Sequence, residues 1–416
     1  MPSPLAGPLA NVALHPLTEH SVLPITPLLA ASVAIAILLA AALLWPFPRE
    51  RTEKADSRRE PLHSWQGSLS LGQTFTRALA VFVLLLAIAA GRFGSEQQLD
   101  NIAPALVVGA AWPLLVLGSA LLGPLWRWID PWDSVARVLS PKESRGDERG
   151  APGNSRRGVH LALVPALAWG WYLSVYIDAL SPRSVGTALG LYTIVTLAGC
   201  LAMGRVWWLS RVELFGLLFG WTARFPRGRL TGWSPPRGTE LVLGALAGGL
   251  LFGAVRQSEL WGELNVVPGA MLYATIGLLV SAGGMAAMLE ALRRLAAAQG
   301  AAGSVAAAIV PALAGLAVAF SLARNRLFTS LQLLPSLAAD PFGRGWSLFG
   351  PSTLGLNPNP LGDRGRVVTQ LALLLAGVVI GAVVLARRSV VRGRVPGIAG
   401  LLAVLAGGVL AVTATG

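Results

Sequence analysis

Few residues in this chain have the type and placement to do chemistry. Asp178 is the acid set inside a long apolar run, near its far end, beside Trp169, Trp171, Tyr172 and Tyr176. A carboxylate in lipid is costly and marks binding or proton transfer, unless it simply reaches interfacial water one turn from the helix end. A second group lies in Asp340-Pro341-Phe342-Gly343-Arg344-Gly345-Trp346-Ser347-Leu348-Phe349-Gly350. Its glycines permit tight turns, and Phe342, Trp346 and Phe349 offer apolar anchors. Asp340 and Arg344 are placed to form a charge-assisted pair that fixes the loop. Asp178, Asp340, Arg344 and Trp346 would together form a site where an aspartate acts as base and arginine stabilises developing negative charge. The same loop serves equally as a structural cap over the helices.

The remaining polar groups point away from catalysis. Asp130 or Asp133, within Trp126–Trp132 and its continuation, suits the N-cap of a short interfacial helix with Pro131 in its first turn. Glu213 with Arg211 reads as a solvated or paired interfacial cluster, and Glu290 with Arg294 as an i,i+4 helix pair. The four histidines, His15, His20, His63 and His160, all lie outside the apolar runs, and no His-Glu-x-x-His pattern exists. His15 and His20 are five apart, a spacing that does not share a helix face. Cys200 is the only cysteine, which excludes an internal disulfide and a cysteine-built metal site. It reads as a small packing residue. Neither a metal nor another cofactor is expected.

The elements that must hold these residues are membrane helices. Charged residues make up 13%, about half the share usual for soluble domains, so they cannot cover a globular surface of 416 residues. The apolar residues come in runs long enough to cross a hydrocarbon core of about 30 Å. Ten spans are predicted, at 26–44, 75–91, 102–122, 159–180, 185–203, 241–255, 266–289, 305–322, 367–386 and 398–414. The fold class is an all-α transmembrane bundle forming one domain. Outside the spans lie an extracytoplasmic N-terminal segment 1–24, cytoplasmic loops 46–74 and 125–158, a cytoplasmic interfacial segment 205–238 and an extracytoplasmic loop 324–366. Arg77, at a span end, is placed to snorkel to the interface.

A net charge of +13 suggests nucleic acid, but the basic residues are spread over alternate loops with no single basic face. Odd-numbered connections carry 25 of the 33 lysines and arginines. That asymmetry places the odd loops in the cytoplasm of a bacterial cell and both termini outside. Trp126, Trp128, Trp132, Trp207, Trp208, Trp221 and Trp233 then form an inner aromatic belt. Residues 206–225 are apolar, but Arg211 and Glu213 and the charge rule favour an interfacial or re-entrant helix. Gly244–Gly248, Gly249–Gly253 and Gly377–Gly381 are spacings for close helix packing. Pro113 and Pro311, each followed by an Asp-Pro pair, hint at an inverted repeat of five spans.

Several segments occur here in a familiar order: Leu23-Pro24-Ile25-Thr26-Pro27, Asn101-Ile102-Ala103-Pro104, Trp126–Trp132, Gly204-Arg205, Arg211–Phe215 and the 340–350 loop. The chain thereby resembles the actinobacterial membrane proteins of the fenitrothion hydrolase-like family over nearly its whole length. The resemblance implies hydrolysis of an organophosphate triester, and histidines in the helices matching the eighth and ninth spans. Here 309–319 and 376–382 contain none. Two functions follow. One is a non-catalytic carrier or partner-docking subunit in the lipid bilayer, its partner a membrane protein. The other is a membrane-embedded phosphotriester hydrolase.

Overall fold

A computed structural model describes residues 71–140, 158–262, 264, 267–323, 326–348, 357, 359–388 and 394–415. The predicted span 26–44, His15, His20, His63 and Phe349 lie outside the described residues. Among those described, the chain is helical throughout, with no strand. In order the helices are α1 (Leu71–Phe93), a π-helical stretch (Pro104–Ala111) running into α2 (Trp112–Leu122), α3 (Trp126–Ile129) and α4 (Pro131–Leu139). Next come α5 (Leu163–Ser174), α6 (Pro182–Met203), α7 (Arg205–Arg211), α8 (Leu214–Thr222), α9 (Thr239–Val255) and α10 (Glu259–Gly262). The last five are α11 (Ala270–Ala298), α12 (Ser304–Leu322), α13 (Arg326–Ala339), α14 (Gly362–Arg387) and α15 (Arg394–Thr415).

Seven of these segments are long and apolar enough to cross a membrane: α1, Pro104–Leu122, α6, α11, α12, α14 and α15. α9 matches a predicted span but has 17 residues. The fourth predicted span needs correction, because α5 covers only 12 residues of 159–180. At 1.5 Å per residue that is roughly 18 Å, short of a bilayer core. The chain leaves the helix where the N–H groups of Val175 and Tyr176 both donate to the Trp171 carbonyl. Arg256 caps the end by donating to the Ser174 carbonyl at 2.8 Å.

α12 sits at the centre, nearly every residue buried, against α14, α15, α9, α2 and α11. Its apolar character on every side is what a fully surrounded helix requires. The glycine spacings work as expected. A Cβ on Gly248 would lie 2.4 Å from the Ser281 carbonyl oxygen, and one on Gly244 2.5 Å from Ala286 Cα, so α9 and α11 touch backbone to backbone. Gly377 and Gly381 do the same for α14 against the Pro311 and Ala308 carbonyls of α12.

Two further expectations are overturned. Trp126, Trp132, Trp221 and Trp233 are buried core residues, so most of the supposed inner belt is interior packing. Only Trp128 of the seven is exposed, the others outside the core being half-buried. The cause is α8, whose Leu214, Leu217, Leu218, Phe219 and Trp221 are buried, packed on α2 and α12. The loop 324–366 likewise contains a helix, α13, which rests on the π-helical stretch at Gly109, where Ser330 fills the space a Cβ would need.

Candidate functional site

The predicted outer site is only partly assembled. Asp340 accepts backbone N–H groups from Arg344, Gly345 and Trp346 at 3.0, 2.6 and 3.1 Å. Burial raises its carboxyl, but these bonds, with the Gly343 N–H, together outweigh it and hold the carboxyl below the usual carboxylate range. The expected Asp340–Arg344 charge pair is therefore corrected to a backbone turn. The Arg344 guanidinium instead donates to the Phe93 carbonyl at 2.7 Å and lies over the Phe342 ring. Ser95 N–H donates to the Phe342 carbonyl, so the loop clasps the connection between α1 and α2. Trp346 packs on Phe342 but is exposed. Asp178 lies beyond the end of α5, exposed in a turn whose carbonyl receives Ser181 N–H. Among the described residues no hydrogen bond or ion pair joins Asp178 to the loop.

The densest charge cluster is elsewhere, where α1, α4, α6, α7 and α8 meet. Asp130 caps α4 by accepting Asp133 N–H at 3.0 Å, with Pro131 in the first turn, as predicted. That cap places Asp133 in the first turn of the helix, pointing inward. Its carboxylate receives Arg77 at 2.8 Å, Arg137 at 2.9 Å and Arg205. Arg77 does not snorkel: it is buried, with its other amino group on the Arg127 carbonyl at 2.8 Å. Burial raises the Asp133 carboxyl, but the Arg137, Arg205 and Arg77 charges prevail and lower it to about 2. The cluster is a cation-rich clamp tying α1 and α7 to α4.

Glu213 is another buried acid, and its burial corrects the solvated reading of the Glu213–Arg211 cluster. It caps α8 by accepting N–H from Phe215 and Gly216, and it accepts the Tyr192 hydroxyl at 2.7 Å. Arg211 turns to the Trp207 ring. Burial pushes the Glu213 carboxyl up, helped by the Asp130 charge, and the three donors only partly offset this, leaving it at about 8. A raised folded-state value means full stability below 4.5, lost as pH rises towards about 8. Thermal midpoints in detergent for wild type and Glu213→Gln should therefore converge or cross as pH rises over that window. Two parallel curves would contradict the assignment.

An aromatic spine links the two ends. Trp126, Trp132, Tyr192, Phe215, Trp169, Tyr172 and Tyr176 follow one another with ring centroids 5.1–6.1 Å apart. Sequence reasoning placed several of these rings at an interface and so missed the clamp. The signal available was Arg77 falling in the same span as a long apolar run, which demands a buried partner. Glu290 pairs with Arg294 as predicted and also with Arg293. Cys200 is buried, as expected of a packing residue. His160 is exposed beside Gly238. Among the described residues no group of three or more potential ligands is placed to hold a metal.

A bundle of long apolar helices around a buried central one defines an all-α membrane protein. No family model, no curated protein and no solved structure matches the chain.

Proposed function

We propose that this chain is a non-catalytic carrier or partner-docking subunit of a bacterial cytoplasmic membrane. The observation that carries this reading is the state of the Asp340 loop, where the carboxylate accepts three backbone N–H groups. Those bonds fix a turn and lower the carboxyl's proton affinity, which makes it a weak general base. Charge asymmetry supports placing the Asp133 end in the cytoplasm. The partner implied is another membrane protein, with no role for nucleic acid.

The fenitrothion hydrolase-like resemblance supports the competing reading of a phosphotriester hydrolase. Purified protein incubated with fenitrothion, with and without divalent metal, is expected to release no nitrophenol. Release that disappears in Asp340→Asn would replace the carrier reading with the hydrolase one. Proton flux into dye-loaded proteoliposomes, or a membrane protein co-purifying in fixed ratio after gentle extraction, is the expected positive result. Absence of both would count against a carrier or docking subunit.

A further inference from the structure

Glu240 opens α9 and is 1% exposed, yet neither of its carboxyl oxygens has a hydrogen-bond partner. Asp130, Asp133 and Glu213, the other buried acids among the described residues, are each tied to donors. The antiparallel register explains what faces Glu240. Gly244 meets Ala286 and Gly248 meets Ala282, so one turn further along Glu240 comes level with Glu290 of α11. Glu290 already holds Arg293 through two bonds, at 2.7 and 2.6 Å, and Arg294 at 3.0 Å. The N–H of Glu240 itself and the Ala306 N–H at the amino end of α12 lie toward the Glu240 carboxyl, outside hydrogen-bond geometry, and Arg293 is the cation whose field acts on it. His160, packed on Gly238, is the titratable group of the preceding turn, and Arg394 at the start of α15 is committed to the Ala386 carbonyl.

An ionised carboxylate in that position, with no formed hydrogen bond, carries a heavy desolvation cost, whereas the neutral acid carries much less. Two carboxylates level with each other also resist ionising together. We propose that Glu240 is a proton-binding site, with Glu240 and Glu290 sharing Arg293 in alternation. With Glu240 protonated, Arg293 pairs with Glu290. When the Glu240 O–H bond breaks, the proton passes to water at that end of the bundle and the electron pair stays on the carboxylate. Arg293 then turns to Glu240, and Arg294 keeps Glu290 paired. The exchange replaces a bond within α11 by one between α9 and α11. It deepens the carrier reading by naming the proton as the ligand.

Infrared difference spectra between wild type and Glu240→Gln, both in phosphatidylcholine vesicles, test this. A protonated-carboxyl C=O band is expected in wild type at about pH 6 and should fade as pH rises to about 9, a range where ordinary glutamates are already ionised. In Arg293→Gln the band should persist to higher pH, by about tenfold in proton activity. If Glu240→Gln does not fold, Glu240→Asp takes its place and should shift the band. No band at any pH, or a band whose titration ignores Arg293→Gln, overturns the proposal. A band without proton flux would remove the carrier reading and leave the proton site standing.

Discussion

Asp133→Asn is expected to destabilise the protein by about 3–5 kcal/mol, because it leaves buried arginines facing a neutral amide. Arg77 and Arg205 are both buried and both point at the Asp133 carboxylate, and Arg137 is only partly exposed. The measurement is the folded fraction during titration with a denaturing detergent in mixed micelles. Replacing Asp133, Arg77 and Arg205 together with Leu, Met and Met should recover much of the loss, since no buried charge is then left alone. A single Asp133→Asn within about 1 kcal/mol of wild type would show that the clamp contributes no more than a surface pair. The pH dependence has a definite sign. The carboxyl is lowered from 3.8 to about 2, so its contribution is present above the first value and lost as pH falls through the second.

Gly248→Leu should prevent assembly of the α9–α11 pair altogether. Even Gly248→Ala places a Cβ 2.4 Å from the Ser281 carbonyl oxygen and 2.7 Å from Ala282 Cα, both backbone atoms that cannot rotate away. Overpacking of this kind costs about 1–3 kcal/mol for one methyl group and more for a branched side chain. Gly283 and Gly284 provide the control, since a Cβ on either meets nothing within 4 Å. Alanine at those two positions should be neutral or stabilise by up to about 1 kcal/mol through helix propensity. Unfolding curves of the four variants decide it. If Gly248→Ala matches Gly284→Ala, the two helices do not touch at Gly248. Because the same register sets Glu240 level with Glu290, the Gly248 variants should also disturb the Glu240 band.

Much of the architecture was legible in the residues. Runs of apolar side chains of bilayer length specify helices, because a backbone in lipid must satisfy its own hydrogen bonds. Eight of the predicted spans recur as helices within a few residues of their predicted ends or, for α11, extended beyond them. Gly244, Gly248, Gly377 and Gly381 announced close packing, since nothing else lets two helix backbones meet. Asp130 with Pro131 announced a capped helix start for a purely local reason.

What the sequence by itself determined was thus every property that depends on neighbours along the chain: helix runs, caps and small-residue faces. What only the tertiary structure decided was the partner of each charge. Arg77, Asp133 and Arg205 lie far apart in sequence, and their convergence depends on three helices meeting at one end. The tryptophans show the same limit, because an indole suits a lipid interface and a protein interior alike. Asp178 looked like a helix-embedded acid until α5 was seen to stop at Ser174, where Arg256, distant in sequence, closes it. Glu240 stands at the edge of an apolar run, and only packing against α11 and α12 shows that its carboxyl is buried without a formed hydrogen bond.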